Sequence, residues 1–338
     1  MAQDLPPVAI VGAGPTGIAC AIELGNRGVA AVCYEAGFLL DTIFHFPEEM
    51  RWYSTRDLLD IAGVPFAVPD AHPTRLETLA YYRGVAERFR VQVVPHTRVV
   101  AIEPRGDGLE IDLEDGRGSR SIAAPAAILA TGFFHTPRRL GITGEDLPHV
   151  HRRFISSYPF HDRDVVVIGS RNSAAEAALD LYRHGARVTL VARAETVSDR
   201  VKYWIKPDLE NRIRAGAIRA FFRTRVLEIT PDTVLVEGPA ERRALAADAV
   251  FPLIGYEPDF ALFARCGVAT EGPGRVPVHD FETLESNVPN LYLAGAILGG
   301  VEIGKIFIEN SRHHAGKIAA AIARRRHPIA ASAPGGNP

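Results

Sequence analysis

Val8-Ala-Ile-Val-Gly12-Ala-Gly14-Pro15-Thr16-Gly17 decides how the chain is read. Four consecutive apolar residues without polar alternation mark a strand covered on both faces, and the glycines end it in a tight turn. Helix-spaced apolar residues follow at Ile18, Ala21, Ile22 and Leu24, then a second strand, Ala31-Val-Cys-Tyr-Glu35. In such a unit Gly12 permits the turn, Gly14 lets the backbone approach a pyrophosphate, and Gly17 lets helix and strand pack closely. The helix N-terminus offers unpaired N–H groups and the positive end of its dipole to phosphates. Glu35, 23 residues after Gly12, is placed to accept from ribose hydroxyls and to repel a 2′-phosphate.

The same plan recurs later. Asp164-Val-Val-Val-Ile-Gly169-Ser-Arg171-Asn172-Ser173-Ala174 is a second buried strand and turn, continued by a helix over 176–184 and a strand over 187–193. Here the middle glycine is Arg171 and the last is Ala174, so a packing turn without ligand is the competing reading. The acidic position holds Arg193, 24 residues after Gly169, and an arginine there suits a 2′-phosphate. Arg200 and Lys202 either extend that basic patch or are ordinary surface charges. An acidic first unit and a basic second one point to two nucleotides, FAD and NADPH, in an oxidoreductase.

Composition agrees with a two-domain soluble enzyme. The chain has 338 residues, 47% hydrophobic and 23% charged, with 38 basic against 40 acidic side chains. A net charge of -2 gives no electrostatic case for nucleic acid or an anionic membrane as partner. Three widely spaced cysteines, Cys20, Cys33 and Cys266, supply neither a disulfide framework nor a zinc cluster. His149, His151, His313 and His314 lack ligand-spaced carboxylates or cysteines, so no metal is expected. The first seven residues lack the basic start and apolar run of a signal peptide, and no apolar run reaches the ~20 residues of a membrane span. The expectation is a cytoplasmic protein with a disordered tail at 331–338.

Two apolar segments read as joints, Ala127-Ile-Leu-Ala130-Thr131-Gly132 and Ala249-Val-Phe-Pro-Leu-Ile-Gly255-Tyr256. They resemble the crossover strands of two-dinucleotide flavoproteins. The expected fold is α/β with two Rossmann-like dinucleotide-binding domains, the second inserted in the first as in thioredoxin reductase. An FAD domain takes residues 1–134 and 257–330, and an NADPH domain takes 135–256. Asn290-Leu-Tyr-Leu-Ala-Gly295-Ala296 reads as a strand leading to a long helix from about Val301 to Arg325, with Lys305, Glu309 and Asn310 near its start.

Over nearly its full length the chain resembles the thioredoxin-reductase-like flavoproteins, and within them the YpdA-type bacillithiol disulfide reductases. The closer match is carried by Phe46-Pro-Glu-Glu-Met50 with Tyr53-Ser-Thr55, Leu58 to Phe66, and Pro73-Thr-Arg75 with Tyr81 and Tyr82. It is also carried by Ile168 to Glu176, and most specifically by Val201-Lys-Tyr-Trp-Ile-Lys-Pro-Asp-Leu-Glu-Asn-Arg212 and Gly304 to His314. The resemblance implies FAD, NADPH and reduction of a low-molecular-weight disulfide by a homo-oligomer, dimer or tetramer.

Expected contacts of the first nucleotide are Gly12, Gly14, Pro15, Thr16, Gly17, Glu35, Ala36, His45, Met50, Val99, Ala130, Thr131, Gly132, Gly295, Ala296 and Lys305. Those of the second are Gly169, Arg171, Asn172, Ser173, Ala174, Arg193, Arg200, Lys202 and Gly255. No Cys-x-x-Cys pair exists, which excludes a dithiol relay to thioredoxin. YpdA-type enzymes often carry a cysteine just before the last loop glycine, and this chain has Thr16 there, which cannot form a mixed disulfide. Cys20, four residues on and on the same helix face, is either a catalytic substitute or a small buried residue. Cys33 reads as core and Cys266 as a surface thiol in a loop. The candidate catalytic groups are therefore Thr16, Cys20, His45 as a proton donor, and Lys305, one of four lysines, as a counter-charge. The alternatives are a ferredoxin–NADP reductase, a flavin monooxygenase, or a sensor that binds NADP without turnover.

Overall fold

A computed structural model describes residues 6–302 and 304–326. The described residues fall into two compact units, one drawn from Met1–His45, Met50–Thr136 and Glu257–Pro338, the other from Phe46–Glu49 and Pro137–Tyr256. Phe46–Glu49 groups with the second unit, where the Glu48 N–H donates to the Ile155 carbonyl at 2.8 Å. The expected tail at 331–338 lies outside the described residues.

The first unit opens with β1 (Val8–Val11), α1 (Pro15–Gly25) and β2 (Ala31–Tyr34), then α2 (Asp41–Phe44), α3 (Arg56–Leu59) and α4 (Arg75–Arg88). Strands β3 (Gln92–Val94), β4 (Arg98–Arg105), β5 (Gly108–Asp115), β6 (Gly118–Ala124) and β7 (Ala127–Leu129) follow. The second unit holds β8 (Asp164–Ile168), α5 (Asn172–Arg183), β9 (Arg187–Val191), α6 (Lys206–Arg214), β10 (Arg219–Phe221), β11 (Arg225–Ile229), β12 (Thr233–Glu237), β13 (Arg242–Ala246) and β14 (Ala249–Pro252). The chain returns to the first unit with α7 (Phe260–Arg265), β15 (Thr270–Glu271), β16 (Val276–Pro277), β17 (Leu291–Leu293), α8 (Ile308–Ser311) and α9 (His314–Arg326).

Each unit pairs a parallel sheet with a three-stranded antiparallel one. In the first the parallel order is β17-β7-β1-β2-β3, with β4-β5-β6 beside it in sequence; in the second it is β10-β9-β8-β14, with β11-β12-β13. All four residues of β1 are buried, as are all of β7, β14 and β17. Parallel strands need cover on both faces, and the sequence supplies it. Helix α1 packs on β1 and β2 and also against α9, so Ile18, Cys20 and Leu24 are fully buried. Helix α9 meets it with Ala315, Ile318, Ala319 and Ile322, a one-sided stripe at helical spacing. In the second unit Val166, Ile168, Val191 and Val250 of the parallel sheet share a core with Ile229, Val234, Val236 and Leu245 of the antiparallel one. Burying such aliphatic side chains contributes roughly 1.5–3 kcal/mol each.

Local chemistry sets the helix ends. Thr74 and Glu77 form a reciprocal capping box at the start of α4, with Thr74 Oγ1 accepting from the Glu77 N–H at 3.2 Å and Glu77 Oε2 from the Thr74 N–H at 2.8 Å. Helix α5 begins at Asn172, inside the second turn and four residues before the expected start. The long helix expected from Val301 is also broken, into α8 and α9. Asn310 marks where the first piece starts: its Oδ1 accepts from the Phe307 N–H at 2.8 Å and its Nδ2 donates to the Lys305 carbonyl at 2.9 Å. These bonds satisfy backbone groups at the start of α8, where Phe307 is extended, and a turn at Arg312 and His313 separates α8 from α9.

Candidate nucleotide sites

In the first unit the C-terminal ends of β1, β7 and β17 lie side by side, and the loops that follow them meet. Gly12 takes a φ of +107°, and a Cβ there would stand 2.7 Å from the Ala130 carbonyl oxygen. A Cβ on Gly17 would stand 2.1 Å from the Gly12 carbonyl oxygen. Gly14 differs: its backbone is extended, and a Cβ there meets nothing within 4 Å. Its missing side chain leaves space beside the first turn of α1, which has no side-chain cap and no acidic residue. Backbone N–H groups at such a turn could hold an anion. Thr131 adds a buried hydroxyl, Oγ1, with no hydrogen-bond partner among the described residues. Gly132, at φ +64°, has open space where a Cβ would stand.

Glu35 holds this loop in place. Its Oε2 accepts from the Ala13 N–H at 2.8 Å and its Oε1 from the Gly37 N–H at 2.9 Å. Each oxygen keeps a second lone pair, so the carboxylate can still take ribose hydroxyls. Ala36, next to it, is exposed.

Thr16 packs against Gly295: a Cβ on Gly295 would lie 3.1 Å from Thr16 Oγ1. The Gly295 N–H donates to His314 Nδ1 at 3.1 Å. Burial, helped by the Lys317 charge, pushes the His314 pKa down to about 4, so the ring is a neutral acceptor at physiological pH. His314 was absent from the sequence-based site; it is on the other side of the chain's length from Thr16, and only the α1–α9 contact joins them.

Some expected placements hold and others do not. Cys20 is fully buried in α1, and burial raises its thiol pKa strongly, so it cannot present a thiolate to a substrate. Cys266 is no surface thiol: it ends α7, 2% exposed, with its pKa pushed up to about 11 by burial. Cys33 is buried in β2, its pKa likewise raised by burial to about 12. Lys305 is not on a helix; it is 72% exposed and ion-paired to Glu302, three residues away. Val99 is buried in β4, which leaves only its backbone for a ligand. His45 ends α2, where its Nδ1–H donates to the Asp41 carbonyl at 2.8 Å and Nε2 is the remaining ring nitrogen. Met50 is half-buried, and its carbonyl accepts from the Arg75 N–H at 3.1 Å.

The second unit repeats the turn with different chemistry. Gly169 takes a φ of +142°, and a Cβ there would meet the Leu253 carbonyl oxygen at 2.5 Å and the Ala174 methyl at 3.0 Å. Ala174 is thus tolerated where the first turn needs Gly17. Arg171 occupies the N-cap of α5 with the same extended backbone as Gly14, and its side chain is exposed. Arg193 and Arg200 are exposed as well, and neither pairs with a carboxylate among the described residues. Gly255 follows β14 at φ +102°, its carbonyl accepting from the Arg138 N–H at 3.0 Å.

Glu49, Asp180 and His184 bring donor atoms within 4.8 Å of one another, a grouping the sequence does not reveal. His184 Nδ1 is engaged at 2.9 Å by the Asp180 carbonyl and at 3.1 Å by its carboxylate. The pair lies at the C-terminus of α5, with His184 as its C-cap.

This pair of glycine turns at the ends of parallel sheets belongs to a known class. The chain is a member of the pyridine nucleotide-disulphide oxidoreductase family, whose model matches residues 9–295. It is 36% identical over 319 residues to bacilliredoxin reductase Bdr of Bacillus subtilis, covering 94% of this chain and 98% of that one. Among solved structures it is similar to bacillithiol disulfide reductase Bdr (YpdA) from Bacillus cereus, at 35% identity, 94% and 99% coverage and a TM-score of 0.92. The enzyme of that name from Staphylococcus aureus gives 33% identity, 95% and 99% coverage and a TM-score of 0.90. The chain is an oxidoreductase, and the expected α/β dinucleotide fold is the one observed.

Two outcomes follow from the first turn. Gly17→Ala forces a methyl onto the Gly12 carbonyl and is expected to lower stability by about 1–3 kcal/mol in urea unfolding. Gly14→Ala meets open space, so it should keep wild-type stability and lose retained flavin, read as the visible absorbance of the purified protein. For His314, the unfolded chain takes a proton below about pH 6.5 while the folded chain resists to about pH 4. Stability is therefore lost as pH falls through that window and is unaffected above it. His314→Gln should show a smaller drop in urea midpoint than wild type between about pH 7 and about pH 5.

Proposed function

We propose that this protein is an FAD-containing, NADPH-dependent reductase of a low-molecular-weight disulfide of the bacillithiol type, and that no cysteine of the chain takes part. The observation that carries the reading is the two glycine turns of opposite charge, in a chain whose three cysteines are all buried. The match to disulfide and bacilliredoxin reductases over nearly the whole of both chains supports the substrate class. It gives less support to a ferredoxin–NADP reductase or a flavin monooxygenase.

The residues present fit FAD in the first unit. Gly14 leaves room for a pyrophosphate, the uncapped turn of α1 provides donors, and the orphaned Thr131 hydroxyl awaits a partner. Pro15, Thr16, Gly17, Ala130, Gly132, Gly295 and Ala296 would line it, and Glu35 would orient the ribose. In the second unit Gly169, Ser173, Ala174 and Gly255 would frame NADPH, with Arg171, Arg193, Arg200 and Lys202 holding its 2′-phosphate. Bound FAD supplies the two-electron connection between nicotinamide and disulfide. The reaction balances as RSSR + NADPH + H⁺ giving two RSH and NADP⁺, so a proton must reach a departing thiolate. His45, when protonated, can give it from Nε2 while the Asp41 carbonyl holds Nδ1–H. Thr16 has no redox role in this scheme; it fills the space against Gly295. The reading extends to a homo-oligomer acting in the cytoplasm. Among the described residues no helix is long and apolar enough to cross a membrane.

Anaerobic NADPH oxidation in the presence of bacillithiol disulfide tests the reading. Turnover that depends on the disulfide is expected, and Cys20→Ala should keep kcat within about twofold despite a stability loss of roughly 1 kcal/mol. No disulfide-dependent oxidation would overturn the substrate class, and loss of turnover in Cys20→Ala would overturn the cysteine-free mechanism.

A further inference from the structure

The segment between β9 and α6 folds back over the mouth of the second glycine turn. Its fit is set from two sides. Val197, Val201 and Ile205 are buried at 2%, 4% and 8% exposure and anchor it from below. Above them, polar bonds tie it to the turn. The Ser198 N–H donates to the Ser170 carbonyl at 3.0 Å, and the Arg200 N–H to Ser198 Oγ at 3.3 Å. Asn172, the first residue of α5, closes the arrangement. Its Oδ1 accepts from the Lys202 N–H at 2.9 Å, and its Nδ2 donates to the Arg200 carbonyl at 3.3 Å. Both polar ends of one amide are thus spent on the backbone that flanks Arg200 and Lys202. The Lys202 ammonium lies 5.6 Å from the centre of the Trp204 ring, which restricts it further.

An asparagine at the first position of a helix has no intrinsic need to do this. Its amide can cap nothing in α5, since the N-cap is Arg171. Held in this way, Arg200 springs from a fixed backbone beside the helix N-terminus instead of from a free loop. Fixing the backbone in advance removes an ordering cost that ligand binding would otherwise carry.

We infer that Asn172 is a positioning residue for cofactor choice: its amide locks the 198–202 loop so that Arg200 meets the 2′-phosphate of the nucleotide. Asn172 acts through Arg200 and does not select the nucleotide by its own contact. The inference rests on the NADPH reading above, and it separates Asn172 from Gly169 and Ala174, which shape the turn itself.

The test is calorimetric binding of 2′,5′-ADP and of 5′-AMP to the purified flavin-loaded full chain, for wild type, Asn172→Ala, Arg200→Gln and the double variant. Expected are a wild-type preference for 2′,5′-ADP, a loss of tenfold or more for that ligand in Asn172→Ala, and unchanged 5′-AMP affinity. KM for NADPH should rise with it while kcat stays within twofold. Since one residue acts through the other, Asn172→Ala should add less than twofold on top of Arg200→Gln. Equal losses for both ligands, or full additivity in the double variant, would overturn the positioning role. Equal wild-type affinity for the two ligands would overturn the NADPH reading itself, which the single variants cannot do. Should Asn172→Ala fail to fold, Arg200→Gln with an unchanged 2′,5′-ADP affinity still sinks the inference.

Discussion

Helix α1 approaches the end of β1 so closely that residue 17 has no room for a side chain: a Cβ would sit 2.1 Å from the Gly12 carbonyl oxygen. Most of the first unit depends on that approach. It brings the uncapped N-terminus of α1 to the ends of three adjacent parallel strands. It also puts Thr16 against Gly295 and buries the far side of α1 on α9. The residues that would bind a dinucleotide are consequently those on which the fold is built.

Charge separates the two turns, though less simply than residue type suggests. The carboxylate of Glu35 is first a brace, accepting two backbone N–H groups of its own loop and the next. Selection against a 2′-phosphate would come from oxygens already fixed by that work. In the second unit Arg171, at the N-cap of α5, and Arg193, just after β9, are exposed. Only Arg200, on the longer loop, depends on a latch.

Burial takes all three thiols out of solvent. All three cysteines act as small apolar residues, Cys20 and Cys33 on opposing surfaces of one helix–sheet contact and Cys266 at the end of α7. Neutral His314 belongs to the same economy of buried groups: a charged imidazole there would lose its bond from Gly295 and gain a desolvation cost.

The strands that begin each unit, the glycine turns and the sign of the charge at each are legible in the order of amino acids alone. These are local, set by runs of buried apolar residues and by glycines no other residue can replace. Helix ends were less legible: nothing in the spacing from Val301 onward announces that helix begins only at Ile308 and is interrupted at Arg312 and His313. Residues distant in sequence were decided only by tertiary structure. Lys305 looked informative as a rare lysine, yet folding leaves it in water beside Glu302. Cys20 faced the same way as Thr16 on a helical wheel, yet the sheet covers it. His314 and the Asn172 latch became visible only when segments far apart, 19 residues for Gly295 and His314 and 30 for Asn172 and Lys202, came within hydrogen-bond reach. Periodicity reports which face of an element is apolar; what covers that face is a long-range contact, and pattern alone does not encode it.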